Sequence, residues 1–318
     1  MIDLTKVTEK QEVVDFFFVN EAPTIKKSKR GDDYWCLTLQ NKTGELDARI
    51  WDKPKGDDLA WLKAKTFVKV SGGVDFWKDT AQLAVKQIRL AVEGEYNWQD
   101  FFERSPRDPQ EAFDNLMLIS TQSMRKPLGE LCQALLLGCK DKLLKAPAAK
   151  SVHHAYIGGL LEHVEGMCQA ASAICQNYQE LDEDLLLTGC IVHDIGKLTE
   201  LTYPIGIGYA LEGTLIGHIS IGLIVVTAAM NTLSFPTDLA LKVQHLVISH
   251  HGKLEWGSSK VPIMREAVVL HHIDMIDSSL NIFKRAEKQG IDADGLTPWV
   301  KVMDGPLYIG APAPVTAE

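Results

Sequence analysis

The sequence predicts a multidomain protein in which a small all-β barrel is followed by an all-α domain. Through the first ninety-odd residues, apolar and polar side chains alternate in short runs broken by turns, the period of half-buried strands. From Ala155 onward the apolar period becomes 3.6, that of helices packed on one core. All ten histidines lie between His153 and His272, inside the helical part.

Taken in order, Tyr34–Leu39 and Glu45–Trp51 flank an Asn41-Lys42-Thr43-Gly44 turn. Alternation puts Leu46, Ala48 and Ile50 on one face and Glu45, Asp47, Arg49 and Trp51 on the other. Next come Thr66–Ser71, a Gly72-Gly73 break, Val74–Trp77, a Lys78-Asp79 turn and Gln82–Leu90. About five short antiparallel strands rich in hairpins suggest an OB-fold-like barrel over residues 1–95. Residues 96–150 are expected to form a helical linker, with Ser105–Pro109 opening a helix at Gln110–Ile119 and a second at Leu128–Leu144. Residues 151–288 form the helical domain, with helices at about 155–177, 183–193, 215–231, 237–250 and 262–287. The tail, 289–318, carries Pro298, Pro306, Pro312 and Pro314 and is expected to be irregular.

Composition narrows the function classes. Hydrophobic residues make up 46% of the 318, enough for a real core. The first residues lack the basic-then-apolar run of a secretory signal, and Leu215–Met230 is interrupted by His218 and too short to span a bilayer. A soluble, cytoplasmic protein is expected, with no membrane partner. Cys36, Cys132, Cys139, Cys168, Cys175 and Cys190 form no CxxC pair and read as small apolar residues in a reducing compartment. The net charge of −9 does not advertise nucleic-acid binding, but residues 1–95 hold 16 basic and 16 acidic side chains, so the whole excess lies in the helical half. Carboxylates gathered there are compatible with metal ions.

The chemistry centres on Cys190-Ile191-Val192-His193-Asp194-Ile195-Gly196-Lys197. A His-Asp pair at the end of an apolar helix can present both side chains to one cation, and Gly196 permits a sharp exit. His163 shares a stripe with Leu160, Val164 and Met167, and Asp274 follows the apolar run 268–273, so both are expected to face a core. Such groups are costly to bury unless paired or bound to metal, and together they can satisfy one another around a divalent ion. His153-His154 and His271-His272 are read as supporting or surface residues, His245 as structural, and Asp277 as a support for the site.

The order His163, His193-Asp194, Asp274 is the H…HD…D signature, and the chain here resembles the HD superfamily of metal-dependent phosphohydrolases. The segments HHAYIGGLLEHV (153–164), HDIGKLTEL (193–201), EGTLIGHISIG (212–222), ISHHGKLEWGSSKVP (248–262) and LHHIDMIDS (270–278) resemble the YhaM-type 3′–5′ exoribonucleases, in which an OB-like domain precedes an HD domain. The resemblance spans about residues 10–285. It implies that His163, His193, Asp194 and Asp274 hold a first metal, that His218 and a member of the His250-His251 pair serve a second, and that Asp194 bridges. His250 is the favoured ligand and His251 a ligand or phosphate contact, a choice the sequence leaves open. Asp194, Lys197 and His251 are the expected catalytic residues, with Lys197 on a non-bridging phosphate oxygen. The resemblance implies Mn²⁺, in one or two copies; a nitrogen-and-oxygen donor set also suits Fe²⁺, Co²⁺ or Zn²⁺, more than Mg²⁺.

The implied function is metal-dependent 3′–5′ exonucleolytic hydrolysis of single-stranded RNA, extending to single-stranded DNA. Candidate base-stacking residues on the barrel are Tyr34, Trp35, Trp51, Phe76 and Trp77, beside Lys26, Lys27, Lys29, Arg30, Arg49 and Lys78. Alternation turns about half of the aromatics inward, and charged neighbours favour exposure of Trp51. Lys253, Glu255 and Trp256 are placed either on a substrate pocket or in loop packing. Two other readings remain: a nucleotide or cyclic-nucleotide phosphodiesterase with a regulatory barrel, and a non-catalytic nucleic-acid-binding protein with a structural metal. Apolar helix faces in 110–145 suggest a homo-oligomer.

Overall fold

A computed structural model describes residues 1–28, 30–51, 59–77, 80–150, 152–203 and 207–310. Lys29, the Lys78-Asp79 turn, Pro312 and Pro314 lie outside the described residues. The chain divides into two compact units, Met1–Glu103 and Arg104–Glu318.

The first unit contains strands β1 (Glu12–Val19), β2 (Thr24–Lys27), β3 (Asp33–Asn41), β4 (Gly44–Ile50), β5 (Thr66–Trp77) and β6 (Thr80–Leu90). Neighbours run β1-β5-β6-β4-β3-β2, and a further β1–β3 pairing closes the sheet on itself. With β2 set aside as an extension on β3, the five barrel strands follow the order 1-4-5-3-2-1, the Greek-key closure of an OB-fold. One expectation is corrected: the strands are not all antiparallel, because β4 and β6 pair in parallel from Asp47↔Gln82 to Arg49↔Ala84.

A second correction concerns Gly72-Gly73. The pair does not break the chain into two strands; β5 continues through it with a register shift between Ser71 and Gly72. A Cβ on Gly72 would stand 2.3 Å from the carbonyl oxygen of Ala84, so glycine admits the close approach of β6 and its bulge. The expected alternation holds in β4, where Leu46, Ala48 and Ile50 are buried, and they join Phe17, Leu39, Val68, Val70 and Leu83 in the barrel core.

The second unit is helical: α1 (Pro109–Leu118), α2 (Leu128–Leu143), α3 (Gly159–Asn177), α4 (Glu183–Val192), α5 (Lys197–Glu200), α6 (Leu211–Ile216), α7 (His218–Thr232), α8 (Thr237–Ser249) and α9 (Arg265–Lys288). A two-residue hairpin, β7 (Leu201–Thr202) with β8 (Gly208–Tyr209), follows α5. Helix α1 starts where Asp108 accepts the amide of Gln110 and Pro109 needs no hydrogen-bond partner for its nitrogen. In α4 every residue from Leu185 to Val192 is buried, and this helix forms the centre of the unit. Phe113, Leu116, Leu128 and Leu131 lie in the same core as Leu161, Met167, Leu186 and Leu270, so α1 and α2 pack as part of the helical unit. Beyond α9 the described chain forms turns, isolated bridges and one 3-10 turn (Lys301–Met303), with Leu307 against Ile282 and Ala286. All six cysteines are free, and no helix among the described residues is long and apolar enough to cross a membrane.

Candidate metal centre

Six helices deliver the expected residues to one buried point. His163 comes from within α3 and Asp274 from within α9. His193 caps the end of α4, Asp194 follows it, and Lys197 opens α5. His218 opens α7, and His250 caps α8 with His251 next in sequence. The close approach of α5 to α7 depends on Gly196, whose Cβ would lie 2.0 Å from the carbonyl oxygen of His218. His163, His193 and His250 have no exposed surface, and Asp194 has 2%.

Asp194 divides these imidazoles into two pairs. Its Oδ2 lies 3.3 Å from Nε2 of His193 and 3.9 Å from Nε2 of His163. Its Oδ1 lies 3.6 Å from Nε2 of His218 and 3.7 Å from Nε2 of His250. Asp274 Oδ1 stands 3.5 Å from His163 Nε2, and the Lys197 ammonium 2.6 Å from Asp194 Oδ2. Nε2 of His163, His193, His218 and His250, together with Asp194 Oδ1, are buried with no hydrogen-bond partner. Unsatisfied buried polar atoms are rare and call for an explanation. Donors sharing one ion through bonds near 2.1 Å stand about 3.0–3.4 Å apart, close to the spacings here. The groups His163–His193–Asp274 and His218–His250–His251 each bring ligand atoms within 4.8 Å of one another and could hold a divalent metal.

The ring orientations support this fit. Carbonyl oxygens can only accept, so Nδ1 of His193 donates to Cys190 (3.0 Å), that of His250 to Val247 (2.7 Å) and that of His251 to Trp256 (2.7 Å). Carboxylates do the same work elsewhere: Asp277 Oδ2 accepts from His163 Nδ1 at 2.7 Å, and Glu200 Oε1 from His218 Nδ1 at 3.0 Å. With the proton fixed on Nδ1, each ring turns an Nε2 lone pair inward, the arrangement a metal ligand needs. Glu200 carried no signal in the sequence; it reaches His218 from 18 positions away.

Burial opposes charge on Asp194, but Lys197 and His193 outweigh it and hold the carboxyl well below its usual range. Asp274 behaves likewise, opposed by burial and brought to about 2 by His163 and His193. Burial lowers His250 and His251, keeping both imidazoles neutral. At His193 the balance is reversed: burial opposes the charged form, but Asp194 and Asp274 outweigh it and raise the imidazole. Ionised oxygens thus face two neutral imidazoles and one held toward its charged form.

The second expected surface lies on the barrel. Tyr34 and Trp51 stack with centroids 4.5 Å apart, and the Arg49 guanidinium lies 5.7 Å from the Tyr34 centroid. Trp51 is 48% exposed and Trp77 63%. Trp35 is the correction: at 8% exposure it belongs to the barrel core, because neighbours on a strand point to opposite faces and Tyr34 takes the outer one. Lys27 pairs with Asp33 at 3.0 Å, and Arg30 is exposed. Trp256, with the Lys253 ammonium 4.2 Å from its ring centroid, sits beside His271 at 6.0 Å.

Among solved structures, the chain is similar to the mitochondrial single-stranded DNA-binding protein of S. cerevisiae, at 15% identity and a TM-score of 0.24, over 27% of this chain and 100% of that one. It is also similar to the second OB-fold domain of replication protein A from Methanococcus maripaludis, at 16% identity and a TM-score of 0.24, over 30% of this chain and 98% of that one. The helical unit carries its own match. The HD domain is a family of metal-dependent phosphohydrolases, a chemistry that the orphaned nitrogens and carboxylates suit. Residues 160–279 match the HD domain family, and this part of the chain is an HD domain.

Proposed function

We propose that the protein is a metal-dependent 3′–5′ exoribonuclease that hydrolyses single-stranded RNA, with single-stranded DNA as a second polymer substrate. The observation that carries the reading is the pairing, on one chain, of an HD site with an OB-topology barrel on one face of which the half-buried Tyr34 of β3 stacks against the exposed Trp51 just past the end of β4. OB-folds bind oligonucleotides on that face and at the adjoining loops. Tyr34, Arg49 and Trp51 belong to that face, Lys27 ends β2, and Arg30 lies in the turn between β2 and β3. Stacked rings beside cations suit single strands of any sequence.

At the HD site, His163, His193, Asp194 and Asp274 would hold one ion, and His218 and His250 a second, with Asp194 offering one oxygen to each pair of imidazoles. Mn²⁺ is the proposed metal. A divalent ion in this setting supplies Lewis acidity that activates water and neutralises charge on the phosphate. The protein's own groups do the rest. Lys197 exchanges Asp194 for a non-bridging phosphate oxygen, and Asp277 and Glu200 keep the imidazoles aimed inward. His251, neutral and tied to Trp256, stands beside His218 and His250 as a further ligand or a phosphate contact. The bond broken joins phosphorus to the 3′ oxygen of the penultimate nucleotide, so the product is a nucleoside 5′-monophosphate. Free thiols throughout fit a reducing, cytoplasmic setting.

The test is product analysis with single-stranded RNA bearing a free or a blocked 3′ end. Nucleoside 5′-monophosphates should appear from the free end alone. Turnover of cyclic nucleotides with RNA untouched would move the assignment to small substrates.

A further inference from the structure

The imidazole of His153 has no place in the metal set described above, yet its Nε2 is buried without a hydrogen-bond partner. Its ring lies 5.7 Å from that of His163; burial acts on it most, and then Lys197, His163, Asp274 and Asp194, all members of the site. The turn that carries it is tightly held. The next residue, His154, adopts φ +42°, a conformation costly for a residue other than glycine. Its amide donates to Asn281 Oδ1 at 2.6 Å, its Nε2 meets Asp277 Oδ2 at 2.8 Å, and its carbonyl accepts from the amides of Ala148 and Tyr156. This anchoring holds the strained backbone from which His153 projects.

His153 also differs in kind from the other rings. His163, His193, His218, His250 and His251 each give their Nδ1 proton to a carbonyl or carboxylate and turn a lone pair to the site. Among the described residues no carbonyl or carboxylate takes Nδ1 of His153, so this ring is free to carry its proton on Nε2. A phosphodiester brings oxygens that need donors, and the lining described above offers acceptors apart from the Lys197 ammonium.

We propose that His153 is a substrate-contacting catalytic residue, its Nε2–H donating to a non-bridging oxygen of the scissile phosphate. The contact rests on the phosphodiesterase reading of the HD site, and it complements Lys197: one neutral donor and one cation for the oxygens of one phosphate.

The experiment compares wild type, His153→Ala and His153→Gln, each loaded with Mn²⁺. Hydrolysis of bis(p-nitrophenyl) phosphate, affinity for inorganic phosphate by calorimetry, and bound metal are measured on all three. Loss of a preorganised donor lowers kcat by roughly 10²-fold. The expected result is that loss in His153→Ala, partial recovery in His153→Gln, weaker phosphate binding in His153→Ala, and equal metal content in all three. Unchanged turnover and phosphate affinity in His153→Ala would overturn the proposal, as would loss of metal in step with activity, which would make His153 a support for the ligands. If wild type hydrolyses no phosphodiester, that reading fails by itself, and phosphate affinity in His153→Ala against wild type still decides the contact.

Discussion

Asp277 accepts the Nδ1 proton of His163 at 2.7 Å, and this bond sets which nitrogen of His163 faces the site. Burial opposes the charge on Asp277, yet its hydrogen bonds from His154 and His163 hold it ionised far into acid. The same carboxylate therefore joins the α3 ligand, the turn before α3 and helix α9.

Asp277→Asn should keep the shape of the side chain while weakening its hold on the Nδ1 proton. Outer partners of metal-bound histidines contribute roughly 10–100-fold to metal affinity. Titration of metal-stripped protein with Mn²⁺ should show a loss in that range. Affinity equal to wild type would mean that Asp277 does not orient His163.

The barrel makes a contrasting pair of predictions. Trp51→Ala and Trp77→Ala should each weaken binding of a single-stranded oligonucleotide by about 1–3 kcal/mol, as measured by fluorescence anisotropy, without altering the urea midpoint. Trp35→Ala should instead destabilise the barrel by about 3–5 kcal/mol, the cost of truncating a buried aromatic. On the proposed role of Arg30 and Arg49 as phosphate contacts, binding should also fall as salt rises. Oligonucleotide affinity unaffected by both exposed tryptophans would remove the stacking surface from the account.

Much of the site was legible in the sequence because it is built from local patterns. His193-Asp194 ends an apolar helix, His163 lies on an apolar stripe, and Asp274 follows an apolar run; the structure gathers all three. Asp277 was legible as a support, one turn after Asp274, but its partner was not, and Glu200 was not legible at all, for a physical reason. Asp277 meets His163 across 114 positions and Glu200 meets His218 across 18, and no periodicity records which carboxylate will face which ring. In the barrel, alternation sorted Leu46, Ala48 and Ile50 correctly, but Trp35 depends on the phase of β3, which Tyr34 and Trp35 fit equally well by residue type. The parallel β4–β6 pair joins non-consecutive strands, so hairpin spacing could not show it. Gly72 looked like a break because a bulge and a turn ask for the same residue.

A pH prediction comes from outside the site. Nε2 of His245 accepts the amide proton of Ile263 at 3.0 Å, and burial lowers the imidazole below its usual 6.5. The unfolded chain therefore takes up the proton first as pH falls. The stability this histidine contributes is complete above about 6.5 and is lost as pH drops from there through the folded value. Hydrogen exchange at the Ile263 amide, corrected for intrinsic rate, should lose protection across that window. In His245→Gln, whose amide oxygen accepts at every pH, the dependence should vanish; the same dependence in the variant would contradict the assignment.

On the proposed function, the residues around Asp194 hold the metal that drives hydrolysis of RNA from its 3′ end. The most direct measurement incubates metal-stripped protein with 5′-labelled single-stranded RNA, with and without Mn²⁺, beside Asp194→Ala. The expected result is a ladder shortening from the 3′ end that needs Mn²⁺ and is absent in Asp194→Ala. Full-length RNA with Mn²⁺-loaded wild type, or equal shortening by the variant, would contradict it.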